Sequence, residues 1–143
     1  MTVSFAFYHD AALTQAVTTG NPIAITALYP GGSATDVQLW LGSTATGTQA
    51  QANSDPGVDD IEISIVDSDG GGAGNASTAC KLATSQGGLA TAVAGDPLAV
   101  GPTLASGVVN AMPFWLRVSN AQTVVGTYTD LSLATNTLVE SPV

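Results

Sequence analysis

The chain has 143 residues, which suits one domain with its own core. Eleven acids against two bases, Lys81 and Arg117, give a formal net charge of -9, so no cationic footprint for nucleic acid or an anionic membrane can be built. Only 9% of residues are charged while 45% are apolar, which excludes a disordered chain, and the lone Cys80 excludes an intrachain disulfide.

The opening, MTVSFAFYHD, carries no basic n-region before an apolar stretch, and no run approaches the ~18 apolar residues of a spanning helix. The expectation is a chain made and used without secretion. Val3 to Tyr8 reads as a first strand, with Val3, Phe5 and Phe7 on one face. Asp10 to Thr14 reads as a turn. Ile23 to Leu28 alternates as a second strand, and Tyr29-Pro30-Gly31-Gly32 ends it with a turn. Asp36 to Leu41 is a third strand: Val37, Leu39 and Leu41 point one way, Gln38 and Trp40 the other. Thr44, Thr46 and Thr48 keep period two through a Gly/Thr/Ala-rich stretch and suggest an edge strand.

Asp55-Pro56-Gly57 marks a turn that launches Val58 to Val66. There Ile61, Ile63 and Ile65 alternate with Glu62 and Ser64, the cleanest half-buried pattern in the chain. The run Asp67 to Asn75 is a loop, Cys80 to Thr84 a short strand, Leu89 to Val93 a stretch ambiguous between strand and helical turn, and Leu98 to Val100 a further short strand. Thr103 to Val109 is weakly extended. Pro113 opens PFWLRVS, with Phe114, Leu116 and Val118 on one face and Trp115 and Arg117 on the other; proline suits a strand's first position. Thr127 to Ala134 is expected to return as its hairpin partner, with a bulge near Thr129 bringing Tyr128 and Leu131 into one core. Residues 136–143 are expected to form a flexible or partner-docked tail to a single domain over 1–143. Roughly seven to nine short, mostly antiparallel strands between Gly/Pro/Asp turns indicate an all-β sandwich or barrel.

Catalytic chemistry finds little footing. His9 beside Asp10 is the one acid–imidazole neighbour pair. Cys80 has no basic partner in sequence, and no GxSxG, HExxH or CxxC run occurs. No catalytic residue and no cofactor is assigned. Two polar clusters invite a metal test: Asp55, Asp59, Asp60 and Glu62, and Asp67, Asp69 and Asn75, where the loop start Asp67-Ser68-Asp69-Gly70 makes Asp67 and Asp69 calcium candidates. The position that an EF-hand gives to a bidentate Glu holds Thr78. Gly70 to Gly74 lacks the Lys and helix of a phosphate loop. Arg117 lies mid-strand among acids and is expected to pair with Asp130 across the proposed hairpin or with an acid of another subunit. Trp40, Trp115, Arg117 and Tyr128 are the candidate core or interface anchors.

Two stretches, LWLGSTATG…DPGVDDIEISIVDSDGG and KLATSQGGLATAVAGDPLAVGPTLASGVVNAMPFWLRVSNAQTVVGTYTDLSLATN, resemble small phage-encoded β-sandwich structural proteins of immunoglobulin-like character. The closing PFWLRV…GTYTDLSL resembles the last hairpin of Ig-like modules more widely. The resemblance implies an Ig-like or related sandwich and a non-enzymatic virion component. A capsid decoration protein comes first: made in the host cytoplasm, bound to the major capsid or another virion protein, and a homo-oligomer such as a trimer. The alternative it leaves open is a tail-associated module or one that binds a host-surface glycan or receptor.

Overall fold

The structure, a computed structural model, describes residues 3–26, 34–70, 74–119 and 126–143. Among these residues the chain forms ten strands: β1 (Ala6–Tyr8), β2 (Thr35–Gly42), β3 (Thr48–Ala52), β4 (Glu62–Asp67), β5 (Cys80–Ala83), β6 (Leu98–Ala99), β7 (Thr103–Ala105), β8 (Met112–Val118), β9 (Leu131–Thr135) and β10 (Leu138–Pro142). Every pairing between them is antiparallel. Among the described residues the helical pieces are three single 3₁₀ turns, one of them Gly87–Ala90, in the stretch that is ambiguous by sequence.

One sheet has the order β1-β2-β8-β5. Direct cross-strand partners share a face, so its register sorts the side chains. The inner rows are Phe7–Leu41–Met112, Leu39–Phe114, Val37–Leu116–Leu82 and Thr35–Val118–Cys80. The alternation in β2 and β8 therefore points its aliphatic set inward, as the sequence predicts. Phe7 meets Phe114 edge-to-face at 5.8 Å, a favoured aromatic geometry.

The other layer is written as two three-stranded sheets, β10-β3-β7 and β6-β4-β9. They are successive halves of three longer strands, β3 with β4, β6 with β7 and β9 with β10. The joins are hydrogen-bonded: Asn53 N to Thr137 O at 2.8 Å, Asn136 N to Glu62 O at 3.1 Å, Ile61 N to Gly101 O at 2.8 Å and Val100 N to Ile61 O at 2.9 Å. The middle strand leaves the sheet between Ala52 and Ile61 because Pro56 has no N–H to donate and Gly57 takes a positive φ of 83°. Asn136 fills the gap this leaves. Its Oδ1 accepts the Glu62 N–H at 3.0 Å and its Nδ2 donates to Asp60 O at 3.0 Å.

Leu39, Leu41, Leu82, Phe114 and Leu116 of the first sheet and Ala50, Ile61, Ile63 and Leu104 of the second layer form one core cluster. The molecule is thus an all-β sandwich of short antiparallel strands. The expected alternation of Ile61, Ile63 and Ile65 holds, although the regular strand starts at Glu62, later than Val58.

Four expectations are corrected. First, β9 does not pair with β8. It pairs with β4, while β8 lies between β2 and β5. The apolar rows of β8 find matching rows on both those neighbours, and nearness in sequence imposes nothing comparable. Second, residues 136–143 are no loose tail, since Leu138–Pro142 pairs with β3 in five registers from Leu138↔Ala52 to Pro142↔Thr48. The strand was hidden because its inward positions read Leu138, Glu140 and Pro142. Third, residues 23–26 carry no strand, Ile23 and Ile25 packing on the core from a segment without ladder bonds. The rest of that expected strand, and the turn from Tyr29 to Gly32, lie outside the described residues. Fourth, Thr48 opens a strand that is central in its layer and not an edge.

Candidate binding face

The outer rows of the first sheet follow from the same register. They are Tyr8–Trp40–Pro113, Gln38–Trp115–Ala83 and Asp36–Arg117–Lys81. Three of the four sequence-selected anchors, Trp40, Trp115 and Arg117, are thereby brought together on one face. Both tryptophans are half-buried there and stand outside the core cluster.

Two turns frame this face. At one end the Asp10–Leu13 turn lays Leu13 over β2. Leu13 is buried at a φ of 54°, a left-handed conformation that a leucine adopts only under constraint. Its Cδ1 would stand 2.9 Å from a β-carbon on Gly42, so only glycine lets it pack there. The Asp10 carboxylate organises the turn, accepting the Thr14 hydroxyl at 2.6 Å and the N–H groups of Thr14 and Gln15 at 3.0 and 2.9 Å. The Thr14 hydroxyl bond first, and then the backbone donors, outweigh desolvation and hold this carboxyl below its usual range. At the other end the 3₁₀ turn Gly87–Ala90 buries Leu89, and a β-carbon on Gly88 would stand 3.3 Å from Ala83 Cβ.

Arg117 pairs with Asp36 directly across the β2–β8 ladder, and not with Asp130. Its Nε donates to Oδ1 at 2.7 Å and its Nη2 to Oδ2 at 3.0 Å. Gln86 Nε2 donates to the same Oδ2 at 3.2 Å. Arg117, then Gln86, hold the Asp36 carboxyl below its usual range, and Asp36 raises Arg117 in return. The pair is fork-on-fork and partly shielded, with side-chain exposures of 28% and 16%.

Tyr128 is half-buried elsewhere, on a cavity of about 680 Å³ between the layers, lined by Ile25, Ile65, Cys80, Leu116, Tyr128 and Leu131 among others. Thr129 precedes β9 and forms no bulge within it. Cys80 is buried, and burial pushes its thiol up to about 11, so it is protonated at neutral pH. His9 is not among the cavity's lining residues. Its Nε2 lies 3.0 Å from Asn21 O, and it sits on β1's end of the sheet while Cys80 belongs to β5 at the opposite edge. The structure brings His9, Asp10 and Cys80 into no common site.

Asp67 Oδ1 accepts the Asp69 N–H at 3.0 Å, a local turn. A polar recess of about 260 Å³ gathers Ser54, Asp59, Asp60, Glu62 and Asn136. Among the described residues no group of three or more His, Cys, Asp or Glu side chains is placed to hold a metal.

Sequence reasoning missed Tyr8, Asp36 and Lys81 as members of the outer face. The signal was available for Asp36, two residues before Gln38 and four before Trp40 in strict alternation, but pairing partners do not follow from period alone. No family model, curated protein or solved structure matches the chain.

Proposed function

We propose that the chain is a non-enzymatic assembly protein that docks through the outer face of the β1-β2-β8-β5 sheet onto a larger protein shell. The resemblance to small phage structural proteins makes a capsid decoration protein the specific form of this reading. In that form it is a virion component made in the host cytoplasm, which stabilises the shell as a homo-oligomer such as a trimer. The observation that carries it is the gathering of Trp40, Trp115, Tyr8 and Arg117 on one face. Tryptophan, tyrosine and arginine are the side chains in which interface energy concentrates.

The Ig-like character belongs to the same reading. Counting the joined strands of the second layer once, the sandwich has four strands against three, the split of a constant-type Ig domain. The strand order departs from that domain's: β8, the sixth long strand, pairs with the second and fourth, where the Ig order places the fifth. The likeness is therefore one of architecture and composition.

Co-sedimentation with phage shells assembled without the chain tests the reading. Binding by wild type that is weakened by Trp115→Ala and Trp40→Ala supports it, and absence of binding to any shell sinks it. Light scattering on the free chain reports the oligomer.

A second reading is a tail-associated or host-surface module that takes a glycan. The polar Gln38 in the row of Trp115, with Gln86 bonded to Asp36 close by, favours it, since sugars are held by ring stacking plus fixed polar groups. Binding on a glycan array that is lost on Trp40→Ala would select this alternative.

A further inference from the structure

Lys81 and Arg117, the only two bases in a chain of net charge -9, are direct cross-strand partners. Side chains so paired have β-carbons about 4.5–5.5 Å apart, and like charges placed this way destabilise a sheet. The row holds one acid, Asp36, and its carboxylate is engaged by Arg117 and Gln86. Among the described residues Arg117–Asp36 is the one ion pair within 4.0 Å, so Lys81 has no acid of its own. A guanidinium carries five N–H donors, of which Asp36 takes two. The row therefore keeps an excess positive charge and spare donors beside the half-buried Trp115.

The geometry points to the Asp36–Arg117–Lys81 row as a carboxylate-binding subsite of the docking face, its occupant an acidic side chain on a protein partner. This rests on the reading of that face as a docking surface. A partner carboxylate bridging Lys81 and Arg117 relieves their repulsion, while Trp115 supplies the desolvated contact beside it. The remaining acids would repel an acidic partner at other approaches, so the row selects orientation as well as affinity. Asp36 holds Arg117 in place and acts as a positioning residue.

The test uses the whole chain and two capped tripeptides, Glu-Leu-Glu and its amide twin Gln-Leu-Gln, with backbone N–H chemical shifts and tryptophan fluorescence as readouts. The acidic peptide is expected to move the signals of Lys81, Trp115 and Arg117 and to bind at least about fivefold tighter than the amide twin. That preference is expected to vanish in Lys81→Gln and to fade at about 0.5 M salt. Losing Lys81 removes a like-charge contact, so the variant folds at least as well as wild type and reports binding alone. Equal affinity for the two peptides, shifts confined to other residues, or tighter binding of trigalacturonate than of Glu-Leu-Glu would each overturn the proposal. The parent reading is judged apart from it: if wild type and Lys81→Glu pellet equally with shells, the subsite falls and the docking reading stands. If wild type does not pellet, the docking reading falls and the peptide titration still decides whether the row binds carboxylate.

Discussion

Ser4 and Glu140, 136 residues apart, are joined by three hydrogen bonds: Ser4 N to Oε2 at 2.7 Å, and Ser4 Oγ to Oε1 and Oε2 at 2.8 and 3.0 Å. Thr48 Oγ1 adds a fourth to Oε1 at 2.6 Å, and Ser4 Oγ also lies 2.5 Å from the buried Ser43 Oγ. Register places Glu140 in the row of Ala50 and Leu104, on the inward side of its layer. An acid turned inward there is tolerable because each of its oxygens is bonded, and it ties the segment before β1 to the last strand. Glu140→Ala is expected to cost about 0.5–1.5 kcal/mol in urea unfolding, because it removes the acceptor of the part-buried Thr48 hydroxyl, while water can replace it at the exposed Ser4 N–H. Hydrogen exchange at Ser4 is expected to accelerate in the variant, and unchanged exchange would show that the link is idle.

Acid stability follows from the same group. The Ser4 N–H, then the Thr48 hydroxyl, hold the Glu140 carboxyl below its ordinary 4.5, while Arg117 holds Asp36 below its ordinary 3.8. A carboxyl whose folded value lies below its unfolded one contributes stability that is complete above the unfolded value. That contribution disappears as pH falls through the folded one. Stability from these groups is therefore expected to be flat above about pH 5 and to decline below it. Glu140→Gln is expected to flatten the upper part of that decline in urea midpoints taken at successive pH values, and an unchanged profile counts against the assignment.

The two tryptophans are expected to behave as surface anchors. Phe114 is fully buried, and Phe114→Ala is expected to cost about 3–5 kcal/mol. Trp115 keeps part of its surface in water, so Trp115→Ala is expected to cost only about 1–2 kcal/mol. Equal losses on chemical denaturation would place Trp115 in the core after all.

Across the β2–β8 ladder, Asp36 and Arg117 are expected to show a favourable, salt-sensitive coupling in a double-mutant cycle of Asp36→Asn with Arg117→Gln. The forked geometry raises this above an ordinary surface pair, and partial exposure keeps it below a buried one. A coupling that does not fall with added salt would contradict that balance.

Burial of Cys80 sets a chemical expectation. The thiol is expected to react with a disulfide reagent at pH 8 only as fast as the protein opens, with the rate rising in step with urea-induced unfolding. Rapid labelling of the native protein would show that the cavity admits the reagent to a reactive thiolate.

Much of this fold was legible in the chain. Alternation told which side chains of β2, β4 and β8 face inward, since the strand period is two and a core admits only the apolar set. Pro56 and Gly57 marked a turn, but not that the segments on either side of it are halves of one central strand. The tail was not legible, because Leu138, Glu140 and Pro142 present a charge and a proline where a core strand shows aliphatics. What makes Glu140 acceptable is supplied by Ser4 and Thr48, residues no local window contains. The candidate face was half legible: Trp40, Trp115 and Arg117 could be chosen by residue type, but not seen as neighbours.

By itself the sequence determined the all-β class, the inward faces of its best strands and the lack of an extended cationic footprint for nucleic acid or an anionic membrane, because period, turn chemistry and charge count are local or additive properties. The tertiary structure decided which strands meet. It placed β8 between β2 and β5, sent β9 to β4, gave Arg117 to Asp36 in place of Asp130, and set Lys81 opposite Arg117. Those choices depend on matching whole apolar rows across partners distant in the chain, and that matching is a property of the assembled layers alone.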